Sequence, residues 1–469
     1  MDGPGHQERF QTDAFTNIVT PGPGTTVTSA DEAPEPSRPD AEGSGHRDGS
    51  RISRRGLLGG LAAGFVALLG WTWTRLSFPL PWSTDDPDPA AQLASPEQRT
   101  VPPDPTAVPG PPASELGQRS PFETPRRETW DISSGTPLGE LKGTVTPADL
   151  HFERHHSGVA MIDPATYTLL IHGMVERPRS FSLDDLKRFP SVTRLCFVEC
   201  SGNFQRNMPE ETPPHRICGL TSQSEWTGVP LSVLLREVGV RPEATWFLAE
   251  GGDAAKMARS IPVEKGWDDA IVAYAQNGEA IRPENGYPVR LLLPGWDGNT
   301  NVKWLRRLKF GDEPFMTRWE TARYTVVFDD RRARKFMFAL DARSLITSPA
   351  YPDTVQPGWV EIQGIAWSGR GRIERVEVSF DEGETWHRAD LQEPVLPKAH
   401  TRFRYLWRWD GSEATVLSRA VDETGYVQPT VQELVEARGV GSGPYHLNPI
   451  TGWRLRPDGT VVFRTEEWG

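Results

Sequence analysis

The sequence predicts an α+β domain followed by a β-sandwich, on three observations. Between residues 126 and 335, short strand-like apolar runs alternate with helix-start signals, the pattern of a mixed domain. Between residues 336 and 440, short half-buried strands recur with turn residues between them, the pattern of a sandwich. Before residue 126 the chain is rich in Pro, Gly, Asp and Ser and carries too little apolar surface to pack. At 469 residues the chain exceeds one ordinary core, which agrees with two folded domains and an unpacked leader.

Residues 1–50 are polar and read as disordered. Residues 51–75 hold Arg51-Ile52-Ser53-Arg54-Arg55-Gly56-Leu57-Leu58 and an apolar run from Gly56 to Trp73. An arginine pair leading into a Gly/Ala/Leu run reads as a twin-arginine export signal or as a plain signal-anchor helix. About 18 apolar residues can span a bilayer, so an uncleaved anchor and cleavage near Ala91 to Ala94 both stay open. Either reading places the folded part outside the cytoplasm, in the periplasm or its equivalent. Residues 76–125 form a Pro-rich, semi-rigid linker.

Within 126–335, Tyr167 to Gly173 alternates as a strand, and Ser182 caps a helix beginning at Leu183. Pro230 to Val238 reads as a second helix, with Pro in the first turn and Leu231, Leu234, Leu235 and Val238 on one face. Further strands are expected at Leu195–Val198, Thr245–Leu248, Ile271–Tyr274 and Val289–Leu293. In the sandwich, strands are expected at Val360–Trp367, Val376–Phe380, Phe403–Trp407 and Thr415–Val421. Residues 441–469 read as a C-terminal extension.

The formal net charge is −12, from 51 Lys and Arg against 63 Asp and Glu. That excludes nucleic acid as the main partner, because phosphate backbones need a basic face. The three cysteines, Cys196, Cys200 and Cys218, do not make a disulfide framework. There is no CxxC pair and no CxxCH, so no covalent haem is expected on this chain.

Cys200 stands where a strand runs into the Ser201-Gly202-Asn203 turn. A thiol there is fixed at its base and exposed at its tip. It reads either as a buried cysteine or as a metal ligand or nucleophile. Cys196, earlier on the same strand, reads as core. Phe152-Glu153-Arg154-His155-His156 brings an arginine that can hold an oxyanion beside two histidines whose side chains diverge. Arg290, Lys303, Arg306 and Arg307 form a basic cluster in an acidic protein, suited to a phosphorylated cofactor or to a solvated face paired with carboxylates. Tyr274 reads as a core or a pocket tyrosine.

In order, these stretches resemble the sulfite oxidase family of molybdopterin enzymes. Phe152-Glu153-Arg154-His155-His156 resembles its Phe-x-Arg-Asn-His, and Cys200-Ser201-Gly202-Asn203 its Cys-Ala-Gly-Asn. Ala273-Tyr274 with Asn277-Gly278, Tyr287-Pro288-Val289-Arg290 and Asn301-Val302-Lys303-Trp304 resemble later motifs of the family. Asp381 to Trp386 and Arg419 to Pro429 resemble its immunoglobulin-like dimerisation domain. The resemblance runs from about Thr146 to Gly441. It implies a sulfite-oxidase-like cofactor domain, a homodimer formed through the sandwich, and molybdenum-molybdopterin held by one dithiolene and Cys200. It places cofactor contacts on Phe152, Arg154, His155, His156, Asp253, Asn285, Arg290, Asn301, Val302 and Lys303. Arg154 and Tyr274 fall on substrate-pocket positions. The implied chemistry is oxygen-atom transfer to a sulfur lone pair, with water as oxygen source and a c-type cytochrome as acceptor.

The chain departs from the family at Phe204 and Gln205, where the family has two arginines, and at Arg216, near the family's pocket tryptophan. The family's C-terminal arginine has no clear counterpart around Tyr445-His446-Leu447. These departures resemble the sulfane dehydrogenase branch, which acts on sulfur held by a carrier protein. A sulfite dehydrogenase acting on free sulfite, a molybdenum reductase and a non-catalytic anchored binding module are the rival expectations.

Overall fold

The computed structural model describes residues 112–469 except 329, 331, 336, 440, 442–444, 466, 467 and 469. The predicted disordered segment, the export signal or anchor and most of the linker lie outside the described residues. Among those described, the helices are short, the longest being eight residues, and sheet dominates.

Two five-stranded sheets build the first domain. One joins Glu279–Ala280, Ile271–Gln276, Thr221–Pro230 and Val192–Glu199 in that order, with Arg290–Leu292 also paired to Ile271–Gln276. The other runs Arg179–Ser182, Thr168–Gly173, Leu305–Gly311, Trp246–Gly251, Ala258–Pro262, with one parallel pair between Leu305–Gly311 and Thr168–Gly173. Ser182 caps the Leu183–Arg188 helix, accepting from the Asp185 amide while the Asp185 carboxylate accepts from Ser182 N–H. The Leu231–Val238 helix buries Leu231, Leu234, Leu235 and Val238, and ends on Gly239 at φ 65°. That face, with Leu169, Val272, Leu291 and Phe310, makes one core. A smaller core of Phe152, Cys196, Val198, Trp226 and Ala273 lies on the other face of the first sheet.

The sandwich packs a four-stranded sheet (Arg343–Ser348, Gly358–Trp367, Thr401–Trp409, Asp390–Gln392) on a five-stranded one. The latter is His387–Arg388, Ile373–Ser379, Ala414–Asp422, Thr451–Leu455, Val461–Phe463. Its last two strands come from the stretch read as an extension. They are sandwich strands because Trp453, Leu455, Val461 and Phe463 all point into the core. That core continues across the domain boundary through Phe197, Phe204, Ile217 and Cys218, so the Cys200 strand is packed by both domains.

Candidate active site

The two-residue period of the Val192–Glu199 strand turns Cys196 and Val198 to one face and Phe197 to the other, toward the sandwich core. Cys200 follows on the Cys196 face. Its amide donates to the Leu220 carbonyl at 2.9 Å, and its carbonyl accepts from Asn203 N at 3.0 Å, closing the turn. The turn at Gly298–Thr300 lies against it so closely that a Cβ on Gly298 would collide with the Glu199 carbonyl. Burial pushes the Cys200 thiol above its ordinary pKa, while the Gly202 N–H and Arg154 pull the other way. A neutral thiol in this place becomes a thiolate when a cation binds it.

A cavity opens beside Cys200. Phe152, Arg154, His155, His156, Asp253, Asn285, Arg290, Asn301, Val302 and Lys303, separated by up to 151 positions in the chain, all line it. The cationic wall is built on backbone carbonyls. Lys303 Nζ donates to the carbonyls of Arg154 (3.1 Å) and Glu284 (2.9 Å) and lies 3.0 Å from His155 Nδ1. His155 Nε2 lies 2.8 Å from the Glu153 carboxylate, and this hydrogen bond holds that carboxyl down at about 2. Arg290 donates to the carbonyls of Asn285 (2.9 Å) and Asn301 (3.1 Å), and its guanidinium lies 4.8 Å from the Trp226 ring centre. Burial, with the charge of Arg290 adding and the Glu153 and Asp253 carboxylates opposing, lowers Lys303 to about 7, and burial lowers Arg290 to about 10. Of the basic cluster, Arg306 and Arg307 are outside this wall and pair with Glu250.

Tyr274 is elsewhere. On its strand Ile271 and Ala273 join Cys196 and Val198, while Val272 and Tyr274 pack into the core on the opposite face. Tyr274 does not line the cavity, contrary to the substrate-pocket expectation; the tyrosine that does is Tyr324, which follows the Arg318–Ala322 helix. Its hydroxyl shares a 3.1 Å hydrogen bond with His156 Nε2, and His156 lies against Trp319 at 4.6 Å. Burial lowers His156 to about 4, which leaves it neutral at pH 7. Arg259 lies 4.7 Å from the Tyr324 ring and is ion-paired to Glu320 at 2.8 Å, so the ring is backed by a fixed charge pair.

The sequence reading also missed His151 and Asn299, both of which line the cavity. Their neighbours in sequence had been singled out; nothing in spacing marked these two. They carry the test of fit. His151 Nε2, Arg290 Nε and both side-chain atoms of Asn299 are buried without a partner. Unsatisfied buried polar atoms on one cavity are costly unless a ligand meets them. Burial lowers His151 to about 3, so it is neutral. A large ligand with many heteroatoms, a negative charge and a thiophilic metal at the Cys200 end fits this donor set. No cluster of three or more His, Cys, Asp or Glu suited to a metal occurs among the described residues.

The departures lie away from the cavity. Phe204 is buried in the core shared with the sandwich, and Gln205 lines a separate cleft. Arg216 pairs with Glu128 and covers Trp130. Tyr445 reaches Tyr324, with ring centres 5.6 Å apart.

The family model for an oxidoreductase molybdopterin binding domain matches residues 156–319, and that for a Mo-co oxidoreductase dimerisation domain matches 334–452. Mitochondrial sulfite oxidase of Rattus norvegicus is 32% identical over 64% of this chain and 60% of its own length. Sulfite oxidase of Gallus gallus is 32% identical over 64% of this chain and 72% of its own length. The chain thus spans less than two thirds of the rat relative. The crystal structure of the sulfane dehydrogenase SoxCD from Paracoccus pantotrophus aligns with a TM-score of 0.69 and 42% identity, covering 81% of this chain and 100% of that one.

Proposed function

Because this chain belongs to the sulfite oxidase family of molybdopterin-binding oxidoreductases, we propose that it oxidises a reduced sulfur species by molybdenum-dependent oxygen-atom transfer, with carrier-bound sulfane sulfur as substrate. The observation that carries this reading is the cavity itself: it is lined by the half-buried Cys200, by Arg290 and Lys303 held on backbone carbonyls, and by His151 and Asn299, which carry buried polar atoms without a partner. Bound molybdopterin would supply the two-electron exchange that moves an oxygen atom onto a sulfur lone pair. Cys200 would hold the metal, while Arg290, Lys303 and His155 would hold the anionic end of the cofactor.

The remaining roles fall on this chain's own side chains. Arg154 offsets the negative charge of the oxygenated product. The Tyr324 hydroxyl, steadied by His156, donates to the oxygen that develops charge. Two electrons and two protons leave per water consumed, and a c-type cytochrome is the acceptor we propose. Export through the twin-arginine signal, a homodimer through the sandwich and docking of a sulfur-carrier protein complete the reading. Carrier-bound sulfur is favoured by the 42% identity to the sulfane dehydrogenase SoxCD.

Free sulfite is the second reading, supported by the identity to sulfite oxidases. The deciding experiment uses natively exported protein of known molybdenum content. Cytochrome c reduction is followed with sulfite and with a carrier protein bearing a cysteine-bound sulfane. Turnover of the carrier at a rate well above that of sulfite supports the first reading. The reverse supports the second, and protein without molybdenum that still turns over would sink both.

A further inference from the structure

Glu199, the residue before Cys200, is 3% exposed and its carboxylate accepts three hydrogen bonds. One comes from Asn203 Nδ2 in the same turn, at 3.0 Å. The other two come from the sandwich: Arg343 Nη1 at 2.7 Å on one oxygen and Trp367 Nε1 at 2.6 Å on the other. Arg343 also lies 3.5 Å from the Asn203 carbonyl and 3.6 Å from Cys218 Sγ. Trp367 is fully buried. A carboxylate buried this deeply is held only while its donors stay in place. Among the described residues, every side-chain donor to it outside the turn belongs to the second domain.

We propose that Arg343 and Trp367 are positioning residues for the metal site: through Glu199 they set the depth and direction of Cys200, so the sandwich takes part in holding the cofactor. This rests on the reading of Cys200 as the metal ligand. The ligand is one bond-chain away from a carboxylate clamped across the domain boundary. A shift of the sandwich donors moves the end of the strand and hence the thiol. The chain's own turn could not do this alone, since Asn203 satisfies only one of the two carboxylate oxygens. Partners that hydrogen-bond a ligand directly change metal affinity by about 10- to 100-fold when removed, and Arg343 and Trp367, which act one step further out through Glu199, fall at the low end of that range.

The test uses exported, cofactor-loaded full-length protein. Arg343→Lys and Trp367→Phe each keep a side chain of similar bulk. Trp409→Phe is the control, since Trp409 is an equally buried sandwich tryptophan whose indole donates to the Ser412 carbonyl. Three quantities are read: the melting temperature, the visible absorption of the thiolate–metal pair, and molybdenum kept per chain after dialysis against a chelator. Arg343→Lys and Trp367→Phe are expected to shift the absorption and lower retained molybdenum about tenfold, while Trp409→Phe lowers the melting temperature and leaves both signals alone. Wild-type absorption and retention in both variants overturn the proposal, provided Cys200→Ser abolishes the band. A band that survives Cys200→Ser overturns the ligand reading and the proposal with it.

Discussion

Arg343 and Arg290 are buried to similar depth, 5% and 3% exposed, but only Arg343 meets a carboxylate. Arg259 behaves like Arg343, paired with Glu320, and Lys303 behaves like Arg290, held by carbonyls and His155. Burying a charge is expensive, and a carboxylate partner with good geometry offsets most of it. The paired arginines therefore complete the folded state by themselves: Arg343 steadies Cys200 through Glu199, and Arg259 backs Tyr324. The pair without carboxylate partners, Arg290 and Lys303, is held by carbonyls and His155, and an anion bound in the cavity would offset its desolvation penalty. Burial combined with pairing tells the scaffold from the binding wall in a way that burial alone does not.

The hardest blow to that comparison falls between the two sets. Cys200→Ser should lower turnover by more than about a hundredfold, beyond the effect of groups one shell out, with circular dichroism unchanged; assay with cytochrome c measures it. Retained turnover would mean that neither set surrounds a metal ligand. The next test sets the two sets against each other in cofactor-free protein. Arg343→Met leaves the Glu199 carboxylate buried with one donor fewer and should cost about 3 kcal/mol in denaturant unfolding. Arg290→Met removes an unpaired charge and should cost less than about 1 kcal/mol, since relieved desolvation offsets two lost hydrogen bonds. Equal losses would erase the distinction.

A smaller effect is expected at the tyrosines. Tyr324→Phe removes a donor facing the cavity and should lower kcat about a hundredfold. Tyr274→Phe, on the opposite face of the sheet, should stay within about twofold, and steady-state kinetics on both variants decides. The smallest effect concerns pH. Lys303, lowered to about 7 by burial, is charged below that value and neutral above it. In cofactor-free protein, sulfate binding should weaken as pH rises above 7, by at most about tenfold per unit, with a proton taken up on binding. Calorimetry in two buffers of different ionisation heat measures it, and Lys303→Met should abolish the slope.

Much of the site was readable because its pieces are local. The stretches around Phe152, Cys200, Arg290 and Lys303 are short motifs that the family resemblance singles out, and residues of each line the cavity. Tyr324 was not readable, because its place depends on how a five-residue helix docks against Ala258–Pro262. His151 and Asn299 had no pattern to mark them, and their meaning came from having no partner. The hairpin of Thr451–Leu455 and Val461–Phe463 was missed because two short strands after an irregular stretch look like a tail until a sheet edge receives them.

Sequence by itself determined what the backbone and near neighbours decide: strand alternation, the Ser182 cap, the apolar face of Leu231–Val238, and the turn that ends at Asn203. Those features depend on periods of two and 3.6 residues and on hydrogen bonds reaching a few positions along the chain. Only the tertiary structure decided which buried charges are paired. Glu199 and Arg343 are 144 positions apart, and Lys303 meets the Arg154 carbonyl across 149. At such separations the partner of a charge is set by packing, between the two domains for Arg343 and within the first for Lys303, and it is that pairing which separates the clamp on Cys200 from the wall built on carbonyls.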